Sequence, residues 1–214
     1  MSEMLHLPLL KDDECEDWVL TTLFLNGHWR KRRQEVPFYT LGLTAYLDCR
    51  DGSRSLYRDQ AMLDANNHFL GSHFQALFDL VQTGMQRHFE EPVHLASQAA
   101  WPGFHIYQPH PVFAFPVAKI HRDTQYRDVF PEHVFADSDV YTFTLPISNP
   151  DGSGLNWWPE EGGNPVFVPY RNGELVVHDG LQLHQAVLNC HSKLERITLQ
   201  GHAVRKDGQL LLYW

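Results

Sequence analysis

The sequence that decides the fold runs Gly173-Glu-Leu-Val-Val-His178-Asp-Gly180-Leu-Gln-Leu-His184-Gln-Ala-Val187. It predicts a strand, a tight turn at the Asp-Gly pair and a returning strand. Segments of the same kind, divided by Pro, Gly, Asn and Asp, continue through the chain from about Val93. So many short strands in series indicate a sandwich, a jelly roll or a barrel. The predicted strands are Gly103–Gln108, Val117–Ile120, Val140–Ile147, Gly154–Trp158, Pro165–Val168, Glu174–Val177, His184–Leu188, Ile197–Val204 and Leu210–Trp214.

The N-terminal half carries helical patterns instead. Acidic residues at positions 12–14 precede an apolar-periodic run, which predicts a helix over Cys15–Leu25. Apolar residues at helical spacing predict a second helix over His73–Phe89, which ends before Pro92. We therefore expect an α+β, mainly β fold in a single domain over residues 1–214. Residues 1–92 are expected to be a helical N-terminal support and residues 93–214 a jelly-roll core.

Composition limits the classes of function. The chain has 214 residues, of which 43% are hydrophobic, so it can bury a substantial core. A formal charge of −9 argues against a nucleic-acid partner, which would require a basic surface. The basic cluster Arg30-Lys-Arg-Arg33 is interpreted as a solvated turn or helix end. Three widely spaced cysteines and the lack of a secretory signal or long apolar run favour a cytoplasmic protein without a membrane segment.

Three residues point to a metal site. In the segment Ala118-Lys-Ile-His121-Arg-Asp123, the imidazole and the carboxylate are two positions apart, so an extended backbone places them on one face. A His-x-Asp pair alone is a weak signal in a chain with 14 histidines. The strand that begins at His184 supplies a second imidazole. Two histidines and one carboxylate on one face of a metal leave the opposite face open, which suits Fe(II).

A candidate site for an anion follows the histidine. Arg196 and Thr198 lie two positions apart on a predicted strand and therefore share one of its faces. The planar guanidinium group forms paired hydrogen bonds with a carboxylate, and the hydroxyl group lies beside it. This pair indicates a site for a carboxylate-bearing ligand.

Together, His121-Arg-Asp123, His184 and Arg196-Ile-Thr198 form a pattern that resembles the Fe(II)/2-oxoglutarate-dependent dioxygenase superfamily, particularly its compact prolyl-hydroxylase-like members. The segment Tyr141-Thr-Phe-Thr-Leu-Pro-Ile147 is also similar to the family's central strand. The resemblance covers most of residues 8–204. It implies a double-stranded β-helix, which is a jelly-roll or cupin-like barrel, with the N-terminal helices packed outside.

The resemblance also implies roles for these residues. His121, Asp123 and His184 would bind Fe(II) and form the catalytic centre, and Arg196 and Thr198 would bind the distal carboxylate of 2-oxoglutarate. The implied reaction consumes O2, converts 2-oxoglutarate to succinate and CO2, and hydroxylates or otherwise oxidises a C–H bond of a small molecule, such as an amino acid or a biosynthetic intermediate. The carboxylate of Asp123 favours hydroxylation, because related halogenases replace it.

Tyr107 occupies the place of a family tyrosine that often hydrogen-bonds 2-oxoglutarate. The insertion at residues 109–116 lengthens the interval to His121, so a core or rim tyrosine is an equal alternative. His178 competes with His184 as a ligand, although the spacing to Arg196 favours His184.

Other residues near the motifs have open interpretations. Three histidines are interpreted as core or surface residues, with an indirect role beside the metal left open for the last: His105, His110 and His202. The residues after the first motif line the substrate side or form a solvated loop: Gln125, Tyr126 and Arg127. Of Trp157 and Trp158, one is expected in the core and one at the pocket rim.

The sequence is also consistent with three alternative functions. The first is hydroxylation of a peptidyl side chain. The second is a cupin-type metal enzyme that does not use 2-oxoglutarate and therefore does not require Arg196 or Thr198. The third is a non-catalytic jelly-roll binding module, although structural metal sites normally supply four protein ligands and this motif supplies three.

Overall fold

The computed structural model describes residues 4–49 and 55–214. Two antiparallel sheets form the centre of this part of the chain. We call the nine-stranded sheet the major sheet and the three-stranded sheet the minor sheet. The strands of the major sheet are β1 (Leu5–Pro8), β2 (Arg30–Lys31), β3 (Phe38–Leu41), β4 (Val93–Leu95), β5 (Gly103–Tyr107), β6 (Val140–Ser148), β9 (Glu174–Asp179), β11 (Arg196–Lys206) and β12 (Gln209–Tyr213). Those of the minor sheet are β7 (Gly154–Trp157), β8 (Val166–Pro169) and β10 (His184–Val187).

The strand order of the major sheet is β1-β9-β6-β11-β5-β3-β2, and β12 lies between β11 and β4. β12 and β4 are parallel, whereas the other neighbouring strands of the two sheets are antiparallel. β11 is long enough to pair along one edge with β5 through Arg196–Gln200 and with β12 through His202–Lys206. The C-terminal strand is therefore paired, as the sequence predicts.

Four α-helices accompany the sheets in the described residues: α1 (Asp12–Phe24), α2 (Ala45–Asp48), α3 (Gln60–Phe89) and α4 (Tyr126–Val129). The carboxylate of Asp59 accepts hydrogen bonds from the amides of Ala61 and Met62 and so begins α3. α3 ends where Glu90 adopts the left-handed conformation, two residues before Pro92. None of the described helices combines the length and the apolar character that a bilayer span requires.

The two faces of the major sheet differ in chemistry. Along β6 and β11, alternate side chains join the main apolar cluster with α1 and α3, for example Phe143, Leu145 and Leu199. Most of the intervening side chains, which face the other way, are polar, among them Thr142, Thr144, Thr198 and His202. The minor sheet covers this inner face, where its Leu155 packs with Val176 of β9. The space between the sheets is thus lined by polar groups, which is where a site is expected.

The predicted fold class, mainly β with helices outside the sheets, is confirmed. Some elements differ from the sequence prediction. Three strands before residue 93, β1, β2 and β3, were missed because they are isolated short segments in the half of the chain where helical patterns dominate. The prediction of a strand over Val117–Ile120 is wrong, since this segment is a loop. The nearest backbone pairing is the isolated bridge between His121 and His184. The division of the chain at residue 93 stays a prediction.

The structure of the basic cluster at residues 30–33 also differs from its interpretation as a solvated turn or helix end. Arg30 and Lys31 form β2, and Arg32 is mostly buried, with its two terminal nitrogens 2.8 and 2.6 Å from the carboxylate oxygens of Asp48. A further hydrogen bond of 2.7 Å joins its Nε to Thr40. At least this arginine is a structural residue, because it ties β2 to α2 through a two-pronged ion pair.

We predict that Gly103→Ala destabilises the fold by about 1–3 kcal/mol, since inserting a methyl group into a packed interior forces its neighbours apart. An added Cβ would lie 2.5 Å from the carbonyl oxygen of Leu41 and would collide with the ring of Trp214. Gly27→Ala is the control, because nothing lies within 4 Å of its added Cβ, and its effect should stay within about 0.5 kcal/mol. Urea unfolding measures both; equal stability of the two variants contradicts the packing described here.

Candidate active site

Two histidines are brought together by backbone pairing. The amide of His121 donates to the carbonyl of His184 at 3.0 Å, and the amide of His184 donates back to the carbonyl of His121 at the same distance. This isolated bridge fastens the loop that carries His121 to the edge of the minor sheet. The two imidazole rings consequently lie with their centroids 4.3 Å apart.

The hydrogen bonds of the two rings select the atoms that face the site. Nδ1 of His121 lies 2.9 Å from the carbonyl oxygen of Lys119, and Nδ1 of His184 lies 2.8 Å from that of Gln182. A carbonyl only accepts, so each Nδ1 carries a proton, and in the neutral form of each ring the lone pair lies on Nε2. This is the tautomer in which an imidazole binds a metal through Nε2.

Asp123 lies between the two rings. Its amide donates to the carbonyl of Gly180 at 2.7 Å, which anchors it to the turn after β9. Its Oδ1 lies 3.5 Å from Nε2 of His121, and its Oδ2 lies 3.2 Å from Nε2 of His184. The side chains of Asp123 and His184 are buried, whereas that of His121 is 45% exposed. The site therefore opens to solvent on the side of His121.

These three residues form the only group of His, Cys, Asp and Glu within the described residues that could hold a metal ion, with ligand atoms all within 4.8 Å of one another. His178 is not part of it. Its ring packs edge-on against that of His184, at 4.7 Å, and its Nδ1 is bonded to the carbonyl of Asp179. The structure thus brings His184 together with the first motif, as the sequence spacing favours.

The electrostatics of the site favour a cation. Burial raises the pKa of Asp123, but the neighbouring imidazoles of His184 and His202 and the hydrogen bond from His184 outweigh it and hold the pKa well below its usual range. The carboxylate is therefore ionised at neutral pH. Burial lowers the pKa of His178 to about 3, so this adjacent ring stays neutral.

Arg196 occupies a separate position on the inner face of the major sheet. It is 3% exposed, and burial lowers the pKa of its guanidinium group. Within the described residues it has no carboxylate partner within 4 Å, and its Nε has no hydrogen-bond partner. Buried arginines are normally paired, because an unpaired buried charge is costly. The residue is therefore set up to receive an anion.

Two tyrosines and a threonine lie close to Arg196. The rings of Tyr107 and Tyr170 flank the guanidinium group, with centroids 5.8 and 5.7 Å from its central carbon. Thr198 is fully buried, and its hydroxyl oxygen has no hydrogen-bond partner in the described residues. A cation and an unpartnered hydroxyl on one face of β11 suit a carboxylate.

The structure places the other residues that the sequence singles out in different environments, some beside the site and some away from it. The amide nitrogen of Gln125 lies 3.3 Å from Oδ1 of Asp123, so this residue borders the site. Trp157 is the cross-strand partner of His184, which places it on the inner side of the minor sheet. Tyr126 is buried in a separate apolar cluster, and Arg127 is exposed against its ring.

The remaining histidines are also placed. His110 accepts a hydrogen bond from the amide of Val112 and caps a short 3-10 helix, so it is structural. His105 is hydrogen-bonded to the hydroxyl of Tyr46 at 2.8 Å inside the fold. His202 lies 3.7 Å from the carboxylate of Asp123.

Sequence reasoning missed Thr142, Tyr46 and Tyr170. One signal was present for the first of these: the alternation Thr142-Phe-Thr144-Leu within a strand indicates that one face of β6 is polar. No periodic pattern points to Tyr170, which reaches Arg196 from the connection between β8 and β9.

Comparison with known proteins supports the fold. No protein-family model matches the chain, and no curated protein matches it in sequence. Among solved structures, an N-substituted L-amino acid dioxygenase from Burkholderia ambifaria is 14% identical with a TM-score of 0.58, and the match covers 99% of this chain and 86% of that one. The non-haem α-ketoglutarate-dependent epimerase SnoN from nogalamycin biosynthesis is 13% identical with a TM-score of 0.51, over 96% of this chain and 81% of that one.

An oxidoreductase of the 2OG-Fe(II) oxygenase family from Burkholderia pseudomallei is also similar, at 11% identity and a TM-score of 0.52, over 96% of this chain and 86% of that one. The chain therefore has the double-stranded β-helix fold of the Fe(II)/2-oxoglutarate oxygenases. The fold that the motif resemblance implies is confirmed.

We predict that His121→Ala, Asp123→Ala and His184→Ala each remove most of the divalent-metal binding, because each deletes one of three ligands. His178→Ala should keep most of it, since the ring of His178 lies outside the group of possible ligands. The measurement is iron content after anaerobic reconstitution. Loss of iron in His178→Ala with retention in His184→Ala would reverse the assignment.

Proposed function

We propose that the protein is an Fe(II)- and 2-oxoglutarate-dependent oxygenase that oxidises a C–H bond of a small molecule. The observation that carries the proposal is the buried guanidinium group of Arg196, which has no carboxylate partner in the described residues and lies beside the unpartnered hydroxyl of Thr198. Metal enzymes that do not use 2-oxoglutarate have no need of such a pair on the inner face of the fold.

The donor set fits the metal that this function requires. His121, Asp123 and His184 supply two imidazole nitrogens and one carboxylate oxygen, a combination with open positions that suits Fe(II). Bound Fe(II) would activate O2 while 2-oxoglutarate is oxidatively decarboxylated to succinate and CO2. The proteins of similar fold support this reading, because one of them, an N-substituted L-amino acid dioxygenase, was solved in complex with α-ketoglutarate.

The residues of the chain have defined tasks in this proposal. Arg196 and Thr198 hold the distal carboxylate of 2-oxoglutarate, and Tyr107 and Tyr170 shape the sides of that pocket. The apolar contact of Leu155 with Val176 between the sheets excludes water from the space beside it. The exposed edge at His121 is the path by which a substrate reaches the centre.

The class of reaction is hydroxylation or a related oxidation. Related halogenases replace the carboxylate that this chain has at Asp123, which favours hydroxylation. The proteins of similar fold are described as a dioxygenase and an epimerase, so the fold accommodates several outcomes. A small molecule such as an amino acid or a biosynthetic intermediate is proposed as the substrate.

The test is titration of the anaerobic Fe(II) protein with 2-oxoglutarate, followed by the visible metal-to-ligand charge-transfer absorption. We expect the wild type to develop this band and Arg196→Ala to bind 2-oxoglutarate at least about tenfold more weakly, because a charge-assisted hydrogen bond contributes about 1.5–3 kcal/mol. Thr198→Val should weaken it less. Iron content should stay unchanged in both variants, since neither loses a metal ligand.

Arg205→Ala is the matched control. This arginine lies on the same strand, β11, but is already paired with Glu91 at 2.7 Å and Asp139 at 3.0 Å. It should titrate like the wild type. If the iron-loaded wild type develops no band at saturating 2-oxoglutarate and forms no succinate, the proposal fails and a metal enzyme that does not use 2-oxoglutarate takes its place.

A further inference from the structure

A hydroxyl group on the major sheet holds the carboxylate of Asp123. Thr142 lies on the inner face of β6, and its Oγ1 is 2.6 Å from Oδ2 of Asp123. Both side chains are buried, at 1% and 4% exposure. A carboxylate only accepts, so the hydroxyl is the donor, and a hydrogen bond this short to an ionised acceptor belongs to the strong class.

This contact joins a loop to a rigid element. Asp123 lies on the connection between β5 and β6, which contains only short helical turns and one isolated backbone bridge. Thr142, in contrast, is paired on both sides, with His178 of β9 and His202 of β11. The hydrogen bond therefore fixes the position of a loop side chain relative to a central strand.

The backbone leaves space for this hydroxyl. A Cβ added at Gly180 would lie 3.0 Å from Oγ1 of Thr142. The carbonyl of the same glycine accepts the amide of Asp123. Asp123 is thus held at its main chain by Gly180 and at its side chain by Thr142, and the lack of a Cβ at Gly180 leaves room for the hydroxyl group.

The threonine is in turn oriented by a histidine. Nδ1 of His202 lies 3.1 Å from Oγ1 of Thr142. The hydroxyl has a single proton, which is donated to Asp123, so Nδ1 of His202 must be the donor in this contact. The distance of 3.7 Å from the same nitrogen to Oδ2 of Asp123 is too long for a direct hydrogen bond. The chain therefore runs from His202 through Thr142 to Asp123.

We propose that Thr142, oriented by His202, is a positioning residue that engages Oδ2 of Asp123 and directs Oδ1 to the metal. The inference rests on the proposed metal site. With Oδ2 engaged by Thr142, the carboxylate would offer only Oδ1 to a metal ion, which suits a site that must also admit O2 and a co-substrate. Groups that hold a metal ligand from behind typically contribute about 10–100-fold to metal affinity.

The neighbouring threonine provides a matched control. Thr144 lies two residues further along the same face of β6, and its hydroxyl donates to Oε1 of Gln200 at 3.1 Å instead of to a metal ligand. Replacement by valine is isosteric at both positions. A difference in metal affinity between the two valine variants therefore reports the contact with Asp123 and not the loss of a buried hydroxyl in general.

The experiment measures Co(II) affinity by competition with a chromogenic chelator and records the visible spectrum of the Co(II) protein, without 2-oxoglutarate. We expect Thr142→Val to weaken Co(II) binding about 10–100-fold, and we expect Thr142→Ser, which keeps the hydroxyl, to stay within about threefold of the wild type. Thr144→Val should bind like the wild type. His202→Phe should show a smaller loss than Thr142→Val, because the threonine hydroxyl remains.

Thermal unfolding of the metal-free variants separates this role from a general loss of stability. If Thr142→Val does not fold, Thr142→Ala and His202→Phe supply the same comparison. Wild-type affinity in Thr142→Val, or equal losses in Thr142→Ser and Thr142→Val, would overturn the positioning role while the metal site stands. Failure of the wild type to bind Co(II) or Fe(II) would instead overturn the proposed function.

Discussion

The structure depends on the period-two alternation of the two longest strands, β6 and β11. Both are mostly buried on both faces, but one set of side chains is largely apolar and packs with α1 and α3, whereas the other is largely polar and lines the space between the sheets. A shift of one residue in the pairing would turn threonine, histidine and arginine toward the helices and leucine toward the site. The apolar burial that stabilises the fold thereby also fixes the direction of every polar side chain on these strands.

Most polar side chains on the inner face of the major sheet form hydrogen bonds with other groups of the protein. The chain from His202 through Thr142 to Asp123 is one such network, and the hydrogen bond between Tyr46 and His105 is another. Buried polar groups that remain without a partner are costly, so they mark the places where a ligand is expected. On β11 these are Nε of Arg196 and the hydroxyl of Thr198. The proposed co-substrate and metal sites thus differ physically: the first has a buried cation without a carboxylate partner among the described residues, and the second has an ionised carboxylate close to two imidazoles.

Much of the fold could be predicted from the sequence, because the strands after residue 93 follow one another in a series separated by turn residues. The short strands β1, β2 and β3 could not, since they are isolated among helical segments and belong to no such series. The strand expected at Val117–Ile120 did not form because the segment has an apolar composition but no partner beyond the bridge at His121. In the same way, the basic cluster at residues 30–33 gave no sign that Arg32 pairs with Asp48.

The sequence by itself determined, through local spacing, which neighbouring residues could lie on the same face of a strand. The spacing of two between His121 and Asp123, and between Arg196 and Thr198, predicts a shared face in extended backbone. Only the tertiary structure decided that His184, and not His178, completes the group with the first motif, and that Tyr170 flanks Arg196. It also decided that Thr142 and His202 support Asp123. These contacts join residues far apart in the chain, and they arise from strand pairing and sheet packing, whose geometry is set by the burial of the whole apolar core and not by local spacing.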